Sequence, residues 1–232
     1  MKKLTTIGFD ADDTLWQNEQ FFRLSEKRFA ELLSDFAEAD HLGARLLEAE
    51  KRNLARYGFG IKGFTLSMVE TAIEVTEGRV PAAIIQQILD VGREMLVHPV
   101  ETLPDVRETL ESLVPDYRLV LITKGDLFDQ ERKVAASGLG ELFSAVEIVS
   151  DKSAETYRRV FLRHGDGPER SMMIGNSLKS DVVPAIEAGS WGVYIPHELT
   201  WVLEHVEAPT DASRYRKAEA VSAVPGIVRE IG

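Results

Sequence analysis

The sequence predicts an α/β protein, a doubly wound parallel sheet with a bundle of helices inserted after its first strand. Three observations predict it. Beyond residue 99, short apolar runs alternate with segments of helical periodicity, which is how strand–helix–strand units of a parallel sheet read. Between residues 18 and 97 the helical spacing continues without a convincing strand. Ahead of that insert, residues 4–9 form one brief apolar run that stops at polar residues, as a buried strand does.

Within the insert, Phe22, Phe29, Leu32, Leu33 and Phe36 share one face of a first helix. Leu46, Leu47 and Leu54 mark a second. Met68, Val69, Ala72, Ile73 and Val75 mark a third, closed by Gly78. Pro81 suits the first position of a fourth, which carries Ile84, Ile85, Ile88, Leu89 and Leu96. The character changes at Pro99 and Pro104. A helix with Val106, Leu110 and Leu113 inward leads to residues 118–123, a continuous apolar run suited to a strand covered on both faces. Next come a helix over 127–136, ended near Gly138, and a strand at 146–149. A helix over 154–164 follows, with Tyr157, Val160 and Phe161 inward, then a strand at 171–174. Helix 182–188 is stopped by Gly189, and strand 192–195 succeeds it. A polar loop at 207–212 containing Pro209 precedes a strand near Tyr215 and a helix over 222–231.

The 232 residues suffice for a substantial core in one domain or two small ones. Apolar content of 44% and charged content of 28% fit a soluble globular protein. With 27 basic and 38 acidic residues the formal charge is −11, which disfavours nucleic acid and anionic membrane surfaces as partners. An anionic substrate would need a local cation against that field. The absence of cysteine excludes disulfides, zinc–thiolate sites and thiol nucleophiles. No apolar run approaches a membrane span, and Met1-Lys2-Lys3 leads into a short strand rather than a signal peptide. A cytoplasmic protein is the expectation.

Chemistry concentrates first in Asp10-Ala11-Asp12-Asp13-Thr14. In an extended chain residues two apart project to one side, so Asp10 and Asp12 can face a single point while Asp13 turns away. Two carboxylates held together repel unless a cation lies between them or one takes a proton. A hard ion such as Mg²⁺ seeks such oxygens; a solvated acidic turn is the alternative. Ligands of open parallel sheets bind outside the carboxyl ends of the strands. There the sequence offers Thr123 and Lys124 after the second strand and Asp151-Lys152 after the third. After the fourth come Asn176 and Asp181, within residues 175–181. Carboxylates, a hydroxyl, a lysine and an amide suit metal-assisted phosphoryl transfer.

These four segments, in order, resemble the four motifs of the haloacid dehalogenase-like (HAD) hydrolase superfamily, and the resemblance covers the whole chain. It implies a Rossmann-like core, residues 1–16 and 98–232, and a small helical cap, residues 17–97. It implies that Asp10 is a nucleophile forming an aspartyl-phosphate and that its other oxygen binds Mg²⁺. Asp12 would protonate the leaving oxygen, later activate water, and offer its backbone carbonyl to the metal. Thr123 would bind a phosphoryl oxygen, Lys152 neutralise the transferring charge, and Asp181 hold the metal or its waters.

The chain departs from the family pattern at Asn176, where Asp is usual; its amide oxygen can meet Mg²⁺ but brings no charge. Lys124 stands where Asn is common. It is a candidate substrate contact, with Trp16 and, in the insert, Arg56 and Lys62. The last two flank a stretch in which Gly58, Gly60 and Gly63 interleave with aromatics. That stretch reads either as a loop over a ligand or as a helix–helix turn. The expected function is a Mg²⁺-dependent phosphatase for a small phosphorylated metabolite, acting as monomer or homodimer. The alternatives are a C–halogen hydrolase, a catalytically weak binding protein of the same fold, and a phosphomutase. Asp12 argues against the halogen chemistry, because a departing halide needs no proton and 2-haloacid dehalogenases lack an acid there.

Overall fold

The computed structural model describes residues 3–210 and 212–232. Met1 and Lys2, and Asp211 within the expected 207–212 loop, lie outside the described residues. The elements run β1 (Thr6–Phe9), α1 (Glu19–Leu32), α2 (Ala39–Tyr57), α3 (Ile61–Val75), α4 (Ala82–Val97), α5 (Val106–Leu113) and β2 (Arg118–Lys124). They continue α6 (Leu127–Ser137), β3 (Ala145–Val149), α7 (Ala154–His164), β4 (Ser171–Gly175), α8 (Val183–Ala188), β5 (Trp191–Tyr194), β6 (Tyr215–Lys217) and α9 (Val224–Ile231). Two compact units result: Met1–Glu19 with Val100–Lys124 and Gln130–Gly232, and Gln20–Pro99 with Gly125–Asp129.

The first unit is built on one sheet in the order β3-β2-β1-β4-β5-β6, every neighbouring pair parallel. The side-chain period of two explains why β2 is apolar throughout. Leu119 and Leu121 join Ile7, Phe9, Met172 and Ile174 on one face, covered by Val106 and Leu110 of α5 and Val224 and Val228 of α9. Val120, Ile122 and Met173 meet the other face, covered by Tyr157, Val160 and Phe161 of α7 and Ala185 of α8. The chain leaves β1 toward β2 on one side and returns to β4 on the other. The crevice beyond adjacent strand ends where the order reverses is where such sheets bind ligands. Here it lies beyond β1 and β4.

The expected helix over 182–188 is preceded by a wider π turn, Leu178–Val182. The Ser177 hydroxyl accepts the Ser180 N–H (2.9 Å) at its start.

The second unit packs Phe29, Leu33, Leu42, Leu46, Phe64, Met68, Ala72, Ile88 and Val91 at its centre. Two of the apolar residues that marked these helices in the sequence face outward. Phe36 is 41% exposed, because α1 ends at Leu32 and a turn carries it off the face. Ile73 is 46% exposed, because α3 buries the stripe of Ile61, Phe64, Thr65, Met68 and Ala72, and Ile73 lies one residue further round. The glycine-rich stretch is the α2–α3 turn. Gly58 (φ 71°) and Gly60 (φ 110°) adopt backbone angles that other residues rarely take. Among the described residues no helix is long and apolar enough to cross a membrane.

Candidate active site

Asp10 follows β1 directly, and its N–H donates to the Ile174 carbonyl (2.8 Å), which ties the end of β1 to β4. Its carboxylate is buried. Oδ1 accepts from Lys152 Nζ, and Oδ2 accepts from the Thr14 hydroxyl (3.0 Å). Lys152 Nζ also donates to Asp181 Oδ1 (2.7 Å), so one buried ammonium spans two buried carboxylates. Asp181 Oδ2 accepts the Ser177 N–H (2.9 Å). Glycine at 175 permits this arrangement: a Cβ there would stand 2.2 Å from Asp181 Oδ2. Burial, reinforced by the Asp181 charge and opposed by Lys152, raises the Asp10 pKa to about 7. Burial pulls the Lys152 ammonium down, but Asp10 and Asp181 outweigh it and hold the proton more firmly than usual.

Asp12 projects beside Asp10 but has a separate set of donors. Lys133 Nζ (2.6 Å) and Trp16 Nε1 (2.7 Å) reach Oδ1, and Gln130 Nε2 (3.0 Å) reaches Oδ2. Burial alone would raise this carboxyl; Lys133, Trp16 and Gln130 reverse the direction and keep it ionised. Gln130 Nε2 also donates to Thr123 Oγ1 (2.6 Å), linking the ends of β1 and β2. Asp13 turns the other way, with φ 59°, and accepts the backbone N–H groups of Asn18 (2.8 Å) and Glu19 (3.0 Å) at the start of α1.

The oxygens at the β1–β4 crevice fit a hard divalent cation. One terminus of the Asn176 amide faces Asp10 Oδ2 at 3.2 Å and the Asp12 carbonyl at 3.3 Å. With nitrogen there, it donates to both. With oxygen there, three oxygens converge with no proton between them, the arrangement Mg²⁺ takes. The set is poor in charge: among the described residues no three His, Cys, Asp or Glu side chains gather as a metal site.

Asp10, Asp12, Thr123, Lys152, Asn176 and Asp181 therefore meet through direct or one-residue contacts in the first unit. Trp16 is also there, but it is 1% exposed and its indole N–H is committed to Asp12. Lys124 pairs with Glu204 Oε1 (2.5 Å) and the Ser180 hydroxyl (2.7 Å). Arg56 and Lys62 belong to the second unit. Arg56 is exposed in the last turn of α2, and Lys62 pairs with Asp126 (2.9 Å).

Lys133, Gln130 and Glu204 were not predicted. Gln130 and Lys133, three apart on α6, share a helix face, but a polar helix face ordinarily means solvent. Nothing in the sequence near Glu204 signals its burial.

A family model described as haloacid dehalogenase-like hydrolase matches residues 4–189. The chain is 26% identical over 213 residues to a glyceraldehyde 3-phosphate phosphatase of Methanothermobacter thermautotrophicus, covering 88% of this chain and 91% of that one. It superimposes on a haloacid dehalogenase-like family hydrolase from Xanthomonas campestris with a TM-score of 0.88 and 45% identity, covering 98% and 91% of the two chains. An L-2-haloacid dehalogenase from Xanthobacter autotrophicus shares the fold at 18% identity and a TM-score of 0.68, over 99% and 100% of the chains. With nearly the whole length matched and the strand-end groups gathered at one crevice, the chain belongs to the haloacid dehalogenase-like hydrolases.

Proposed function

We propose that this hydrolase is a Mg²⁺-dependent phosphatase of small phosphate monoesters. The observation that carries the reading is Asp12, a second carboxylate two residues beyond Asp10 and hydrogen-bonded to Lys133. An alkoxide leaving group needs a proton; a halide does not. The phosphatase relative at 26% identity supports the same choice.

In this reading Asp10 attacks phosphorus through a carboxylate oxygen. The bond from phosphorus to the substrate oxygen breaks, its electron pair stays on that oxygen, and Asp12, ionised in the free enzyme and protonated as the phosphate dianion binds beside it, supplies the proton. Asp12 then takes a proton from water, whose oxygen attacks the aspartyl-phosphate. Breakage of the P–O bond to Asp10 yields phosphate and restores the carboxylate. Lys152 neutralises charge on Asp10 and on the group in transfer. Thr123 is assigned to a phosphoryl oxygen. Asp10 Oδ2, the Asp12 carbonyl and Asn176 would hold Mg²⁺, which supplies further charge neutralisation. Asp181, whose oxygens engage Lys152 and the Ser177 N–H, orients Lys152 and is also assigned to holding the metal or its waters. Substrate selection is assigned to the helical segment 17–97 as a cap, with Arg56 and Lys62 among its cations, and to Lys124.

Phosphate release from p-nitrophenyl phosphate tests the reading. Release should require Mg²⁺ and fall at least about a thousandfold in Asp10→Asn, since the nucleophile is removed. Halide release from 2-chloropropionate instead would identify a dehalogenase. A panel of sugar phosphates, nucleotides and organic acid phosphates, led by triose phosphates, would then find the substrate.

A further inference from the structure

Glu204 has no part in the steps above. It sits in the short turn Val202–Glu204 between β5 and β6, with its side chain only 12% exposed. Its carboxylate nevertheless receives three donors. Lys124 Nζ reaches Oε1 at 2.5 Å, and the hydroxyls of Ser177 and Ser180 both reach Oε2 at 2.5 Å. These partners are themselves joined. Lys124 Nζ donates to Ser180 Oγ (2.7 Å), and Ser177 Oγ accepts the Ser180 N–H (2.9 Å). Lys179 Nζ adds a bond to the Leu203 carbonyl (2.8 Å). Residues 176–182 are thus held from the end of β2 and from the β5–β6 connection together.

That segment carries Asn176 and Asp181, the two residues of β4's end that face Asp10 and Lys152. We propose that Glu204 is a positioning residue: by anchoring Ser177, Ser180 and Lys124 it fixes the turn that presents Asn176 and Asp181, and so sets the affinity of the crevice for a divalent cation. The chemistry requires a carboxylate. Both oxygens must accept, one from an ammonium and the other from two hydroxyls. An amide at 204 either sets its NH₂ group against the Lys124 ammonium, or sets it against the two hydroxyls, which must then turn to accept and give up their charge-assisted bonds. The effect on the turn stands without a metal; the effect on affinity rests on the Mg²⁺ reading above.

The test compares wild type, Glu204→Gln and a control carboxylate change, Glu230→Gln, all metal-free, by hydrogen exchange of residues 176–182. In Glu204→Gln the amides of this segment should exchange about tenfold faster or more, with the rest of the sheet and the control unchanged. Mn²⁺ binding followed by electron paramagnetic resonance should weaken about fivefold or more in the same variant. In Lys124→Gln/Glu204→Gln, which removes both charges, exchange should return partway toward wild type, since deleting both partners costs less than orphaning one. Unchanged exchange at these residues overturns the proposal. So does faster exchange with Mn²⁺ affinity within about twofold of wild type, because Glu204 would then be a brace without influence on the site. Wild type that binds no Mn²⁺ would sink the magnesium reading separately and the affinity half of this one, with exchange alone deciding the positioning half. If Glu204→Gln is insoluble, Glu204→Asp, which keeps the charge on a shorter stem, should give the same changes at smaller size.

Discussion

At the scale of single residues, the two carboxylates of the β1 turn are driven in opposite directions. Asp10 is raised to about 7 by burial and by Asp181, while Asp12 is held down by Lys133 and its neighbours despite burial. A cation on Asp10 Oδ2 would favour the ionised form that a nucleophile needs. The split makes Lys133 a sharp probe of Asp12. Lys133→Met removes the ammonium that lowers Asp12, so the Asp12 pKa must rise. A group that has to be ionised to take a proton from water then stays protonated to higher pH, and kcat should fall more steeply on the acid side, where Asp10 and Asp12 must both ionise. The rate near neutrality should fall about tenfold or more, within the range general acid–base catalysis supplies. A pH–rate profile with p-nitrophenyl phosphate measures both. The pairing of Asp10 with Asp12 was legible because it depends only on the two-residue repeat of a strand. Lys133 and Gln130 were not, because nothing local announces that an α6 face points at the end of β1 rather than at water.

Among the elements, β4 and the turn beyond it decide most. Gly175 leaves space for the Asp181 carboxylate, and a methyl group in its place would stand 2.4 Å from Asp181 Cγ. Gly175→Ala should therefore destabilise the fold by about 1–3 kcal/mol, the usual cost of overpacking, and weaken Mn²⁺ binding together with it. Urea unfolding and a metal titration check the pair of effects. The same turn gives a pH signature through Glu204. Burial opposes its ionisation, but Lys124, Ser177 and Ser180 prevail and lower its pKa from 4.5 to about 2. An acid whose folded pKa lies below its unfolded value stabilises the fold fully above the unfolded value. The loss of stability in Glu204→Gln should thus be complete above pH 4.5 and shrink as pH falls toward about 2. Urea midpoints of variant and wild type across that window report it. Strands and helices were largely readable: β2 by its unbroken apolar run, α7 by Tyr157, Val160 and Phe161. The reading failed where an element ends, as at Phe36 after α1, or where a side chain reshapes a turn, as Ser177 does before α8.

For the molecule as a whole, an alternating strand–helix pattern implies a parallel sheet but not which strands are neighbours. The β3-β2-β1-β4-β5-β6 order puts the ends of β1 and β4 side by side, and only then do Asp10 and Asn176, far apart in sequence, face each other. Net charge, by contrast, was available from composition, and it has a consequence for encounter with substrate. The chain carries −11, and these cations near the crevice are already matched: Lys152 by Asp10 and Asp181, Lys133 by Asp12, Lys124 by Glu204. On the proposed phosphatase reading, a phosphate monoester dianion approaching from solution would meet a repulsive field until it came within reach of a Mg²⁺ ion held at the crevice. Screening shortens that field from a Debye length of about 30 Å at 0.01 M salt to about 8 Å at 0.15 M. With Mg²⁺ kept saturating, kcat/KM should rise about twofold or more over this range while kcat stays level, because screening acts on approach and not on the enclosed chemistry. A fall in kcat/KM instead would mean that cations local to the crevice steer the substrate against the charge of the whole protein.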